Sequence, residues 1–186
     1  MLAAAMKTYV TYGLFMCLAS MLVSLVFFFL GYHSDAEKYA TADTISKYSF
    51  WVIAAVFIVL GTRVRRSETP LTENFGYGRA LLAGFLISVF AGLFSIVTNY
   101  VYLHFINPGF MDVVLQAASA KAEAKGASSA QIEQMEKGIR MMMNPIFSSF
   151  FVFLIITFCG TIVSLVTSIF VRRPAIEDLT SPPVSA

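Results

Sequence analysis

The chain has 186 residues, of which 58% are hydrophobic and 13% charged, and its formal net charge is +2. An average soluble domain is roughly 45–50% apolar and about 25% charged, so this chain has too little charge to dress a water-facing surface. These figures exclude a disordered protein, the two cysteines inside apolar runs exclude a disulfide scaffold, the small charge argues against a nucleic-acid partner, and an integral membrane protein remains.

A bilayer core of about 30 Å needs about 20 mostly apolar residues in a helix. Four stretches meet that requirement. The first, 9–30, has no charge between Lys7 and Asp35. It is longer than a signal-peptide h-region, and no small-x-small site follows Phe27-Phe28-Phe29, so it reads as a retained span. The second, 45–64, has a short uninterrupted apolar part, Phe50 to Leu60, and needs Lys47 and Arg63 to snorkel at its ends. Tyr9, Tyr12, Tyr48 and Trp51 read as belt residues at the interface. The third, 78–106, exceeds what a bilayer requires, and its buried part is expected to run from Ala80 to Leu103. The fourth, 145–171, carries no charge and is closed by Arg172 and Arg173. Backbone groups in lipid must be satisfied internally, and the apolar character is continuous, so these spans are helices and not barrel strands. The fold class is all-α. It is an integral membrane four-helix bundle, one membrane domain over 1–173, with a disordered tail over 174–186.

Basic residues beside span ends favour the cytoplasm. Arg63, Arg65, Arg66, Arg172 and Arg173 abut span ends on the side of the termini, whereas Lys121 and Lys125 lie mid-segment. Both termini are therefore expected in the cytoplasm. The cluster Arg63, Arg65, Arg66 and Arg79 reads as a topology signal before it reads as an anionic-lipid site.

The 107–144 segment is the one sizeable polar part. Asn107-Pro108 and Asn144-Pro145 each read as a helix start, with asparagine as the cap and proline at the first helical position. Over 109–125, Phe110, Val113, Val114, Ala117 and Ala118 share one side. Over 129–143, Ile132, Met135, Ile139, Met142 and Met143 form an amphipathic stripe. Glu133 with Lys137 and Glu136 with Arg140 are spaced for i, i+4 pairing on the opposite face. Gly126 to Ser129 reads as the turn, and Ser128 with Gln131 resembles a capping box. The segment is thus expected to be an extramembrane helical hairpin. Met141-Met142-Met143 reads as an apolar face, because consecutive helical residues diverge and cannot converge on one copper ion.

Gly76, Ala80, Gly84, Ser88 and Gly92 recur every fourth residue in the third span, and Gly160 with Ser164 does so in the fourth. Such stripes let helices approach closely. They are expected to be a packing seam inside the bundle, with a homo-oligomer seam as the alternative. No carboxylate falls within a span, which argues against ion-coupled transport. Asn99 is the deepest amide and His104 lies near the boundary; together they form the one candidate polar site. No metal set, no dinucleotide or phosphate loop and no catalytic motif is present in the sequence.

Several stretches match a known pattern. They are Gly61-Thr-Arg-Val-Arg-Arg66, Asn74-Phe-Gly-Tyr-Gly-Arg-Ala80, Tyr102-Leu-His-Phe-Ile-Asn-Pro-Gly-Phe110, Gly126-Ala-Ser-Ser-Ala-Gln-Ile132, Asn144-Pro145 and Gly160-Thr-Ile-Val-Ser-Leu165. From about Tyr9 to Arg173 the chain resembles the domain of unknown function 4199 family of small bacterial membrane proteins. The resemblance implies four spans and a hairpin between the third and fourth, and a multi-pass place in the bacterial inner membrane is expected. It carries no catalytic residue. A non-enzymatic interaction or scaffold protein without cofactors is expected, with a membrane-protein partner or a second copy. A small oligomeric channel lined by Asn99, Ser88 and Ser95 is the first alternative. A membrane enzyme using His104 and Asn99 is the weaker one.

Overall fold

Apolar runs that cannot leave backbone groups unpaired in lipid become helices. In the computed structural model, which describes residues 2–142 and 144–175, all regular elements among those residues are helical. Helix α1 is Leu2–Phe29, α2 is Ala36–Ser67 and α3 is Tyr77–Val101, continued by one π-helical turn, Tyr102–Ile106. Helices α4, Phe110–Glu123, and α5, Ser129–Met142, form the hairpin, and α6 is Pro145–Val171. Among the described residues, four helices are long and apolar enough to cross a membrane: Ala5–Phe29, Ala36–Ser67, Tyr77–Ile106 and Phe147–Val171. Met143 and the tail from 176 onward lie outside the described residues.

Gly31 ends the first pass. Its φ of 77° suits glycine, and the chain closes there with Tyr32 N–H bonded to Phe27 O at 2.9 Å. Asp35 then caps α2, its Oδ1 accepting from Glu37 N at 2.9 Å and Lys38 N at 3.3 Å. The polar stretch 36–44, ahead of the expected second span, is therefore the first part of α2. A capped run of strong helix formers, Ala36-Glu37-Lys38, starts the helix outside the apolar window that hydropathy detects. At 1.5 Å per residue, 32 residues extend about 48 Å, beyond a hydrocarbon core of about 30 Å. The surplus projects on the hairpin side and supports α4.

On the opposite face, Phe75 and Arg173 exchange two backbone hydrogen bonds, at 3.0 and 2.8 Å. Arg66 Nη1 donates to Val171 O at 3.2 Å, and Arg173 Nη2 donates to Thr69 O and Pro70 O at 3.0 Å. These ties clamp the end of α6 to the α2–α3 loop and define the rim side of the bundle.

Helix α3 sits centrally, touching α1, α2 and α6, and pairs most extensively with α6. Met16, Ala54, Ile58, Ile87, Ala91 and Val163 form the core. The α3 stripe is filled from within the chain. Ser164 of α6 sits against Gly84, and Ser88 sits against Gly160, two interlocked small pairs. Ser88 and Ser164 are fully buried; Ser88 Oγ donates to Gly84 O at 2.8 Å and Ser164 Oγ to Leu81 O at 3.0 Å. Gly92 faces Phe153 of α6, and Gly13 of α1 faces Phe90 and Ala91 of α3. Ala80 is buried beside Phe75 and Ala83. Gly76 stands apart from the seam as the N-cap of α3, next to Asn74. Outward-facing Leu22, Phe158 and Phe170 are exposed where acyl chains would lie. Tyr48 and Trp51 also face outward, but Tyr9 and Tyr12 turn in to pack on the core. Tyr12 does so because Gly61 leaves room for its ring.

Candidate functional site

Polar groups at membrane depth are costly, so their grouping is informative. The hairpin-side half of α1 and α3 brings several together. Ser95 Oγ donates to Ala91 O at 2.8 Å, and Cys17 Sγ lies 3.4 Å from Thr98 Oγ1. With Ser20, Ser24, Asn99 and Tyr102 they line a cavity of about 160 Å³, closed on the α6 side by Val152 and Ile156. Asn99 Nδ2 is buried there with no hydrogen-bond partner. A cavity of this polarity and size can hold water, which would satisfy it. Ser88, by contrast, packs on Gly160 and does not line the cavity. The expected row Asn99, Ser95, Ser88 is thus divided within one chain. Replacing Asn99 by leucine is expected to leave stability unchanged or raise it by about 1 kcal/mol, because no protein hydrogen bond to Nδ2 is lost. Thermal unfolding in detergent measures this; a marked drop would show that Asn99 holds the helices together.

Tyr102 forms the outer end of the cavity and belongs to a second cluster. Its hydroxyl is hydrogen-bonded to His33 Nδ1, and Asn107 Nδ2 donates to His33 O at 3.0 Å and to Tyr102 Oη at 3.5 Å. A neutral imidazole with Nδ1 as the acceptor satisfies all three groups together, because the Tyr102 hydroxyl then donates to His33 while accepting from Asn107. Phe27, Phe110 and Tyr39 ring His33 at centroid distances of 5.8, 5.0 and 6.2 Å. His33, Tyr102 and Asn107 are all buried. This knot joins the end of α1, the start of α2, the π-helical turn and the start of α4. Burial in this aromatic cage lowers the His33 pKa below the usual imidazole value.

Asn107 does not start α4. Helix α4 begins after Gly109 with no side-chain cap, while Asn107 N–H bonds to Tyr102 O at 2.8 Å and closes the π-helical turn. Pro108 excludes helical conformation at the preceding residue, so Asn107 ends one helix and turns its amide inward. Nor do Asn99 and His104 meet. His104 is exposed, stacked on Tyr100 at 4.2 Å with Nδ1 3.1 Å from Tyr100 O, while Asn99 faces the cavity. His33 and Tyr102 are the buried pair that sequence spacing could not pick out, because they are 69 residues apart.

In the hairpin, Gly126 turns with φ 78°, and Ser128 and Gln131 form a reciprocal cap, with bonds of 2.8 and 3.4 Å. Lys137 pairs with Glu133 at 2.7 Å. Glu136 instead accepts from Ser119 Oγ at 2.7 Å, so the expected Glu136–Arg140 pair gives way to a tie across the hairpin. Ile132, Met135 and Ile139 are half-buried, Met142 is exposed, and no residue of α5 is fully buried. Leu115 alone is buried on α4. Val114, Ala117 and Ala118 of α4 face Tyr39 and Ala40 of α2 across an open groove of about 580 Å³. Among the described residues no group of three or more His, Cys, Asp or Glu side chains is placed to hold a metal ion.

Four spanning helices, a rim clamped by arginine and an extramembrane helical hairpin define a multi-pass, all-α membrane bundle. A family model described as "Protein of unknown function (DUF4199)" matches residues 11–173, and the chain belongs to that family. No curated protein matches it, and no solved structure matches it.

Proposed function

We propose that this is a non-enzymatic interaction protein of the bacterial inner membrane, whose α4–α5 hairpin docks a helix of a membrane-protein partner. The observation that carries this reading is the groove between the start of α2 and α4. Ala40, Ala117 and Ala118 keep its walls low, so a partner helix can come close. Glu37 and Asp43 border it on α2 and Lys121 on α4, a polar rim around an apolar floor. Both termini lie on the cytoplasmic side in this reading, supported by Arg63, Arg65, Arg66, Arg172 and Arg173 beside the span ends.

The test is a photocrosslinking residue at Ala117 in native membranes. One protein adduct is expected, and Ala118→Trp, which fills the groove, should abolish it without lowering the melting temperature. Adducts with lipid alone, or a protein adduct insensitive to Ala118→Trp, would contradict the reading. An adduct of twice the chain mass would make the partner a second copy.

The orphaned amide of Asn99 in its polar cavity favours a second reading, a small channel or transporter. Solute flux in proteoliposomes that is lost in Asn99→Leu would support it. Absence of flux for ions and small neutral solutes would remove it.

A further inference from the structure

The rim side carries a pocket of about 520 Å³ that neither the docking reading nor the polar cavity uses. It lies between the start of α1, the end of α2, the loop between α2 and α3, and the first turns of α3. Its lining includes Tyr9, Arg65, Glu68, Glu73, Arg79 and Leu82. The six residues fall into three layers.

The inner layer is a fixed ion pair. Arg65 Nη1 lies 3.3 Å from Glu68 Oε2, its Nε donates to Tyr9 Oη at 3.2 Å, and Thr8 Oγ1 donates to Glu68 Oε1. Both charged side chains are largely covered, at 21% and 27% exposure. The mouth is a second pair, Arg79 Nη1 to Glu73 Oε2 at 2.7 Å, with 54% and 45% exposure. Each uses one of its polar atoms on the other, which leaves the rest of the Arg79 fork and Glu73 Oε1 to a ligand. The third layer is Leu82, 53% exposed on the membrane-facing surface of α3 one turn beyond Arg79.

Two arginines and two glutamates make the pocket neutral, so it offers no net attraction to an anion. It does present a planar cation and a carboxylate side by side, with an apolar wall next to them at the bilayer boundary. A guanidinium fork matches phosphate oxygens, and a carboxylate accepts from a primary ammonium. We infer that this pocket binds the headgroup of a zwitterionic phospholipid with a primary ammonium, of the phosphatidylethanolamine type. The phosphate lies on Arg79, the ammonium on Glu73, and an acyl chain runs along Leu82. A quaternary ammonium has no N–H to give Glu73, and an anionic headgroup would meet two carboxylates. The pocket thus selects by hydrogen bonding as well as by charge.

The experiment is native mass spectrometry of the full chain released from nanodiscs containing phosphatidylethanolamine, phosphatidylcholine and phosphatidylglycerol with identical acyl chains. The wild-type protein is expected to retain phosphatidylethanolamine over either competitor by about five- to tenfold, the net worth of one hydrogen bond at a half-exposed site. Glu73→Gln should bring phosphatidylethanolamine down to the phosphatidylcholine level, and Arg79→Gln should weaken both. Equal retention of phosphatidylethanolamine and phosphatidylcholine by the wild-type protein overturns the inference, whether or not the variants fold. Preference for phosphatidylglycerol also overturns it and makes the site an anion site. Displacement of the lipid by soluble phosphoethanolamine at equal concentration overturns the lipid as the source, since the acyl chain would then contribute nothing.

Discussion

Replacing Gly84 with alanine is expected to destabilise the bundle by about 1–3 kcal/mol, the usual cost of overpacking. A Cβ at Gly84 would meet Ser164 Oγ and lie 2.7 Å from Ser164 Cβ and 2.9 Å from Ile58 Cγ2. A hydroxyl can rotate away, but Ser164 Cβ is fixed to the α6 backbone. Ile58 is fully buried and has nowhere to retreat. The helices must therefore separate, and in lipid, where close packing drives helix association, separation forfeits the contact energy itself. Ser164→Gly in the same chain removes the opposing Cβ and should restore the part of the loss that Ser164 causes, leaving the part due to Ile58. The single and double variants, melted in detergent, form a thermodynamic cycle with an expected coupling of about 1–3 kcal/mol. A Gly84→Ala protein that melts like wild type would mean that α3 and α6 do not approach this closely. A variant that keeps its melting temperature but changes its oligomeric state would return the seam to a contact between copies.

The same pair shows which features were legible in the chain. The four-residue spacing of Gly84, Ser88 and Gly92 marks a face that admits close approach, because only small residues allow it. It does not say which helix fills that face. Ser164 and Gly160 complete the answer only once α6 is laid antiparallel on α3, which spacing within one helix cannot encode. The spans were legible because an unpaired backbone in lipid costs so much that hydropathy must announce them. The α2 extension was not, since residues 36–44 are held by a capping Asp35 and by helix propensity, neither of which raises hydropathy. The hairpin turn was legible from Gly126, Ser128 and Gln131, whose interactions are local. Asn107 misled for the converse reason. A proline after an asparagine signals a boundary, but whether the amide caps the next helix or closes the previous one depends on His33, 74 residues earlier. The rim pocket was half-visible, as an arginine cluster; its carboxylates matter only because the loop brings Glu73 back onto Arg79.

Acidification is expected to loosen the attachment of the hairpin to the bundle, through His33. Its pKa is lowered by burial in the aromatic cage, so the folded state binds a proton less readily than the unfolded chain. The stabilisation this implies is therefore complete above about pH 6.5, the ordinary imidazole value, and is lost as pH falls through the lower folded value. Protonation also removes the acceptor at Nδ1, leaving the Tyr102 hydroxyl facing a donor. The other groups against the ring, Tyr39 and Tyr102, do not titrate in this range. Asp35, two residues on, is held below the usual carboxylate range chiefly by the backbone N–H groups of Lys38 and Glu37, so it stays ionised while His33 changes state. Thermal unfolding in detergent between about pH 8 and about pH 5 should thus show a melting temperature that falls on the acid side. His33→Gln supplies a neutral acceptor for Tyr102 and should flatten that fall. Asn107→Leu removes the amide that ties His33 O to the knot; it should cost about 1–3 kcal/mol at every pH while leaving the slope in place. If His33→Gln keeps the wild-type slope, the acid sensitivity belongs to carboxylates elsewhere on the surface. If the wild-type protein shows no slope, His33 exchanges its proton without disturbing the knot, and the buried Tyr102 bond does not fasten the hairpin to the spans.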